Sequence, residues 1–215
     1  MKKINLLIIS LAIASISNAN VVFSNFPVSG TTGYPLNGSD DTHAAIGFTT
    51  SGGNYTLDSI DLHLFFADPT KVTPELSVYS DSAGIPGTLI ETFTNPIFSV
   101  GYDDYNFTPD DTVSLFDGTD YWIVLENASG TFDFNWVQGD PPVTPIGDFI
   151  YIDSYYSYDG INWNGEPLGP TALSIQVSAT LVPEPSVYGL ILGLSSLTFI
   201  TFRRKRANQS VFTTQ

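Results

Sequence analysis

The chain is 215 residues long, with 7 basic and 22 acidic residues, a formal net charge of −15 and no cysteine. So acidic a surface repels nucleic acid and anionic lipid, and the missing thiols exclude disulfides, thiolate zinc sites and cysteine nucleophiles. At the N-terminus Lys2 and Lys3 precede an apolar stretch over residues 4–16, and Ser17-Asn18-Ala19 places small residues where a signal peptidase cuts. This pattern predicts a secretory leader over 1–19, cleaved between Ala19 and Asn20. Fold arguments then apply to residues 20–181, long enough to bury a core without disulfides.

Within 20–181 the β signal dominates. Residues 55–66 alternate most clearly: Ile60, Leu62, Leu64 and Phe66 share one face, while Asp61 and His63 share the other. Similar runs occur at 21–26, 44–50, 75–79, 88–94, 121–126, 131–137, 148–155 and 171–181. Turn residues separate them, among them Ser51-Gly52-Gly53-Asn54, Ala67-Asp68-Pro69 and Asp159-Gly160. Roughly nine to eleven short strands without a helical period predict an all-β antiparallel sandwich. In the last run Leu173, Ile175, Val177 and Ala179 alternate with Ser174, Gln176 and Ser178, and it leads almost directly into Val182-Pro183.

The C-terminal segment is tripartite: Val182-Pro183-Glu184-Pro185-Ser186, an apolar run over 187–202, then Arg203-Arg204-Lys205-Arg206 and a tail over 207–215. The prolines break any helix upstream. A helix over the apolar run would span roughly 24 Å against about 30 Å of hydrocarbon, a single short transmembrane span with its basic end in the cytoplasm. Residues 182–206 resemble the PEP-CTERM sorting signal of Gram-negative bacteria. The resemblance implies recognition by an exosortase, transient anchoring in the inner membrane and delivery to the outer surface or extracellular matrix, in a setting of exopolysaccharide or biofilm. The tail departs from the family pattern, which usually ends at or just after the basic cluster. A plain C-terminal membrane anchor is the alternative. Six of the seven basic residues lie in the two terminal segments, which leaves Lys71 alone among 21 acids and a domain charge of −20.

A second resemblance rests on three short motifs. Residues 77–89 run as a strand, Asp81, Gly84-Ile85-Pro86-Gly87 and Leu89; Gly118-Thr119-Asp120-Tyr121-Trp122 and Tyr158-Asp159-Gly160-Ile161-Asn162-Trp163 come next in order. Together they resemble the choice-of-anchor domains, which implies a jelly-roll-like ectodomain and brings no catalytic residues. Gly84 and Gly87 are expected to supply turn dihedrals around Pro86.

Candidate chemistry is sparse. His63 has Asp61 two residues away as an acid–base partner, and His43 follows Asp40-Asp41; ordinary surface and loop positions explain both. Asp103, Asp104, Asp110 and Asp111 crowd a short stretch and suit Ca²⁺ as hard oxygen ligands in a loop, or are simply solvated turn acids. No Gly-x-Ser-x-Gly elbow, zinc helix or phosphate loop is present. Tyr155, Tyr156, Tyr158 and Trp163 are dense enough that some are expected outside the core, as a glycan-stacking surface or as rim filling. The function expected is that of a non-catalytic exported surface domain without an obligate cofactor; the alternatives are a secreted glycan hydrolase with paired carboxylates and a Ca²⁺-dependent adhesin.

Overall fold

The computed structural model describes residues 19–27, 33–37, 42–130, 133–138, 144, 146–163 and 173–183. Residues 1–18 of the expected leader, Asp40, Asp41, Glu184, Pro185, Ser186, the apolar run 187–202, Arg203, Arg204, Lys205, Arg206 and the tail 207–215 lie outside them. Among the described residues no helix is long and apolar enough to cross a membrane.

The twelve strands are β1 (Asn20–Ser24), β2 (Gly33–Asn37), β3 (His43–Thr49), β4 (Tyr55–Phe66), β5 (Val72–Asp81), β6 (Pro86–Thr94), β7 (Gly101–Pro109), β8 (Val113–Leu115), β9 (Asp120–Gly130), β10 (Asp133–Val137), β11 (Ile150–Ser157) and β12 (Ile175–Leu181). A single 3-10 turn, Pro69–Lys71, joins β4 to β5. Every pairing is antiparallel. The strands take the order β1-β12-β4-β7-β6-β5-β9-β3-β11, with β8 and β10 also on β4 and β2 on β10.

This path folds into two layers. At the corner between them β6 meets β7 through only Phe93–Pro109 and Thr94–Thr108. There the Asp110 carboxylate accepts hydrogen bonds from the hydroxyls of Thr92 and Thr94, both at 2.6 Å. At the opposite side the segment entering β11 pairs with β1: Ser24 and Ile146 exchange backbone bonds of 2.8 and 2.9 Å, and the Phe149 N–H donates to the Val22 carbonyl at 3.0 Å. The result is a nearly closed antiparallel sandwich, which confirms the all-β expectation.

β4 is the central strand, contacted on one edge by β12 and β10 and on the other by β7 and β8. Its bounds match the sequence expectation, and from Ile60 to Phe66 its alternation is unbroken. Ile60, Leu62, Leu64 and Phe66 are fully buried, and a register shift opposite Ser178 and Ala179 resets the phase so that Leu57 and Tyr55 also point inward. β12 behaves as its pattern requires, with Ile175, Val177 and Ala179 buried. Phe48 and Phe149 stack at 5.2 Å and Phe66 and Phe134 at 5.1 Å, so aromatic pairs from both layers close the core.

Three strands, β2, β7 and β8, fall outside the expected runs. The acidic stretch expected as a loop is β7, because Tyr105 and Phe107 alternate inward against Asp104 and Asn106. β2, which carries Pro35, lies beside β10 alone, a sheet-edge position where a proline is tolerated.

Between β5 and β6 the chain reverses through Ala83 and Gly84, with φ of 58° and 86°. Ser82 N–H donates to the Ile85 carbonyl at 2.9 Å, closing a two-residue hairpin with positive φ at both positions. Gly84 therefore supplies a turn dihedral as expected. Gly87 does not: its φ is not in the left-handed region, and a Cβ there would approach the Ser82 Cβ to 2.8 Å. Its role is close approach. Ala83 is the one described non-glycine residue with positive φ. Ala83→Gly is expected to raise unfolding stability by about 1 kcal/mol, read by chemical denaturation, because alanine resists this conformation.

Candidate functional site

The three short motifs meet on the outer face of the layer formed by β3, β5 and β9. The alternation of β9 sends Tyr121, Ile123 and Leu125 into the main core and Trp122 and Val124 outward. Trp122 is nonetheless fully buried. Its ring lies across Gly47 on β3, where a Cβ would come within 2.8 Å of the indole. Its Nε1–H donates to Asp81 Oδ1 at 2.8 Å. Asp81 also accepts the Gly84 N–H at 3.1 Å, so one carboxylate ties the indole to the hairpin turn.

The third motif covers this indole. Tyr155 packs against Trp122 at 5.3 Å, and Trp163 joins the same cluster with Ala45, Val124, Tyr79 and Ile152. Asp159 shapes the loop between them. Its Oδ1 accepts the backbone N–H groups of Ile161 at 3.0 Å and Asn162 at 2.7 Å, and its Oδ2 accepts the Asn162 side-chain amide at 2.6 Å. Gly160, at φ 65°, lies where a Cβ would meet the His43 ring at 3.0 Å.

These bonds, the Asn162 N–H foremost, hold the Asp159 carboxyl well below the usual carboxylate range. The hydroxyls of Thr92 and then Thr94 do the same for Asp110. A depressed native pKa stabilises the fold above the unfolded value of about 4, and that contribution is lost as pH falls through the native value. Acidification from about pH 5 toward pH 2 is therefore expected to loosen the 158–163 loop and the β6–β7 corner. The fluorescence of Trp163 should redden in a Trp122→Phe/Trp136→Phe background, and Asp159→Ala should show the same change already at neutral pH.

Between the hairpin and the loop lies a cleft of about 510 Å³, lined by Ser80, Asp81, Ser82, Thr88, Ile161 and Trp163 among others. It offers a half-buried indole, an exposed isoleucine, three hydroxyls and one carboxylate. That combination stacks and hydrogen-bonds a polyhydroxylated, uncharged ligand.

The four aromatic residues singled out in the sequence divide between two places. Tyr155 and Trp163 belong to the cluster around Trp122. Tyr156 instead contacts Tyr34 at 5.0 Å and Tyr158 at 5.0 Å, by a second cleft. Adjacent residues of β11 point to opposite faces, which is why a run of tyrosines cannot form one platform.

The acidic residues divide as well. Asp103 and Asp104 lie near one end of β7 and Asp110 and Asp111 just past the other, about 20 Å apart at 3.3 Å per residue. A single Ca²⁺ ion, with ligands at about 2.3–2.6 Å, would draw on one pair or the other. Among the described residues no three His, Asp or Glu side chains are grouped as a metal site.

Both histidines pair across strands. His63 Nδ1 lies 2.6 Å from Asp104 Oδ1, and His43 Nδ1 2.8 Å from Glu126 Oε2. Asp61, the candidate partner weighed against an ordinary surface position for His63, accepts from Asn106 at 2.7 Å and Gln176 at 3.0 Å. Residues i and i+2 of a strand are about 6.6 Å apart, whereas directly opposed residues approach to about 5 Å, so the cross-strand partner wins.

Asn20 opens β1 directly after Ala19, and Val182 and Pro183 come after β12 without an intervening linker. Sequence reasoning missed Tyr34 and the hydroxyls of Ser80, Ser82 and Thr88. Nothing local marks Tyr34, whereas the hydroxyls flank the Gly84-Ile85-Pro86-Gly87 turn, a signal that places them beside whatever the hairpin borders. Compared with known proteins, the chain matches no family model, and no curated protein matches it.

Proposed function

We propose that this chain is an exported, non-catalytic surface or matrix protein, sorted by an exosortase through Val182–Ser186, with a jelly-roll-like ectodomain that contacts exopolysaccharide. The observation that carries the proposal is that, among the described residues, the first strand opens at Asn20 and the last ends at Leu181. Those limits coincide with the expected leader cleavage after Ala19 and with the start of the sorting segment. Asn20 also pairs with Ala179, so the two ends of the domain leave the same edge side by side.

Glycan contact is assigned to the cleft beside Trp163. Its hydroxyls and indole suit neutral sugars, and a domain charge near −20 disfavours strongly anionic polymers. Intact mass spectrometry of the mature protein from surface and medium fractions tests the sorting. Chains beginning at Asn20 and lacking the 187–206 segment are expected, whereas a mature species that retains Phe202 and Arg203 overturns exosortase processing in favour of a plain membrane anchor. For the cleft, Trp163→Ala is expected to weaken retention in a gel containing the producing cell's own polysaccharide by about tenfold, in line with roughly 1–1.5 kcal/mol for one aromatic contact. Unchanged mobility of both proteins in that gel would remove the glycan assignment.

A further inference from the structure

A second cleft, of about 270 Å³, is lined by Tyr34, Asn37, Thr42, Asp133, Tyr156 and Tyr158, with Pro35 completing the wall. It is distinct from the Trp163 cleft and shares no residue with it. Four parts of the chain build it: the edge strand β2, Thr42 just before β3, the start of β10, and the end of β11 with the residue after it. Tyr34 and Tyr156 come from strands not hydrogen-bonded to each other, so the cleft lies at the seam between the two layers.

Three observations narrow what it holds. First, the rings are mutually inclined. Tyr34 and Tyr156 meet at 43° and Tyr156 and Tyr158 at 88°, each pair with centroids 5.0 Å apart. A flat sugar face calls for an open, coplanar platform, whereas inclined rings form adjacent walls. Second, the Tyr158 hydroxyl donates to the Tyr156 oxygen at 3.3 Å, which links two of the three rings. Third, besides the phenols the cleft wall carries one ionisable side chain, the acidic Asp133, and Lys71 is the sole lysine or arginine between residues 20 and 181. Aromatic faces are electron-rich and attract cations, and aromatic cages flanked by a carboxylate recognise alkylammonium groups.

We infer that Tyr34, Tyr156 and Tyr158 form an aromatic cage, with Asp133 as counter-ion, that binds an organic ammonium group. This site goes beyond the glycan-contact reading and does not depend on it. Two sources carry the same chemistry: a quaternary ammonium, as in choline, and the primary amine of a deacetylated amino sugar.

Calorimetric titration of the intact mature domain tests this. The probes are choline with its uncharged isostere 3,3-dimethylbutan-1-ol, and glucosamine oligomers with their N-acetylated counterparts. At least one cation is expected to bind tenfold or more tightly than its neutral counterpart, and which pair shows the difference identifies the source. Because an acidic domain gathers any cation, the deciding variants keep the charge and alter the ring. Tyr158→Leu, at an exposed position, should weaken binding at least fivefold while Tyr158→Phe retains it; Asp133→Asn should weaken it severalfold. Equal binding of charged and neutral probes overturns the assignment, as does cation binding that Tyr158→Leu leaves unchanged. Loss of the Trp163 cleft's glycan binding on Trp163→Ala should leave ammonium binding intact, so the two sites fail separately.

Discussion

Replacing Trp122 with alanine is expected to destabilise the domain by about 3–5 kcal/mol, the range for truncating a fully buried large aromatic side chain. For a domain of this size that corresponds to a fall in melting temperature of roughly 10–15 °C. Trp122 lies on the outward face of β9, a position where a sheet covered on one side would be wet. It is buried because Gly47 leaves room beneath the ring and Tyr155, Trp163 and the 158–163 loop close over it. Truncation therefore opens a void, exposes Ala45 and Val124, and strips Asp81 of its indole donor. Trp122→Phe should recover most of the packing but not the hydrogen bond, leaving a deficit of about 1 kcal/mol. A change in melting temperature below about 3 °C for the alanine variant would mean that the outer cluster contributes nothing to stability. The same variant should also weaken glycan retention, because the wall of the Trp163 cleft rests on this ring.

Asn25→Leu, which keeps the γ-branched shape, should cost roughly 2–5 kcal/mol. Asn25 is buried, and its side chain continues the β1–β12 ladder beyond the end of β1. Its Oδ1 accepts the Ile175 N–H at 2.8 Å, its Nδ2 donates to the Leu173 carbonyl at 3.1 Å, and its own backbone N–H donates to the Ile175 carbonyl. Leucine keeps the third bond and abandons two buried backbone groups, each costing about 1–3 kcal/mol when left unpaired. Amide hydrogen exchange gives the sharper readout. Protection at Ile175 should be lost while that of Leu76 and Val78 on β5 falls only with global stability. If Ile175 stays as protected as β5 in the variant, the side-chain ladder is not what closes this end of the sheet.

The alternation of residues 55–66 specified a long strand, and that of 171–181 the buried face of the shorter strand Ile175–Leu181, because period two is a local property and the inward residues are apolar. Turn chemistry likewise marked the Ala83-Gly84 reversal and the Asp159-Gly160 loop. The readings of the terminal segments rest on composition and order alone, and nearly all of those residues lie outside the described ones. What the sequence did not disclose is pairing. Asp103 and Asp104 read as loop acids because their charge outweighs the inward Tyr105 and Phe107; only the neighbouring β4 makes that stretch a strand. His63 selects Asp104 over Asp61, and Tyr156 leaves Tyr155 to join Tyr34 on β2, more than a hundred residues away. Trp122 likewise reads as one more alternating core residue, and only the returning loop decides that its outward face is dry. Side-chain direction is set by neighbours in the chain, so it can be read locally. Which two directed side chains meet is set by antiparallel register and by the closure of two layers, and that the folded chain alone decides.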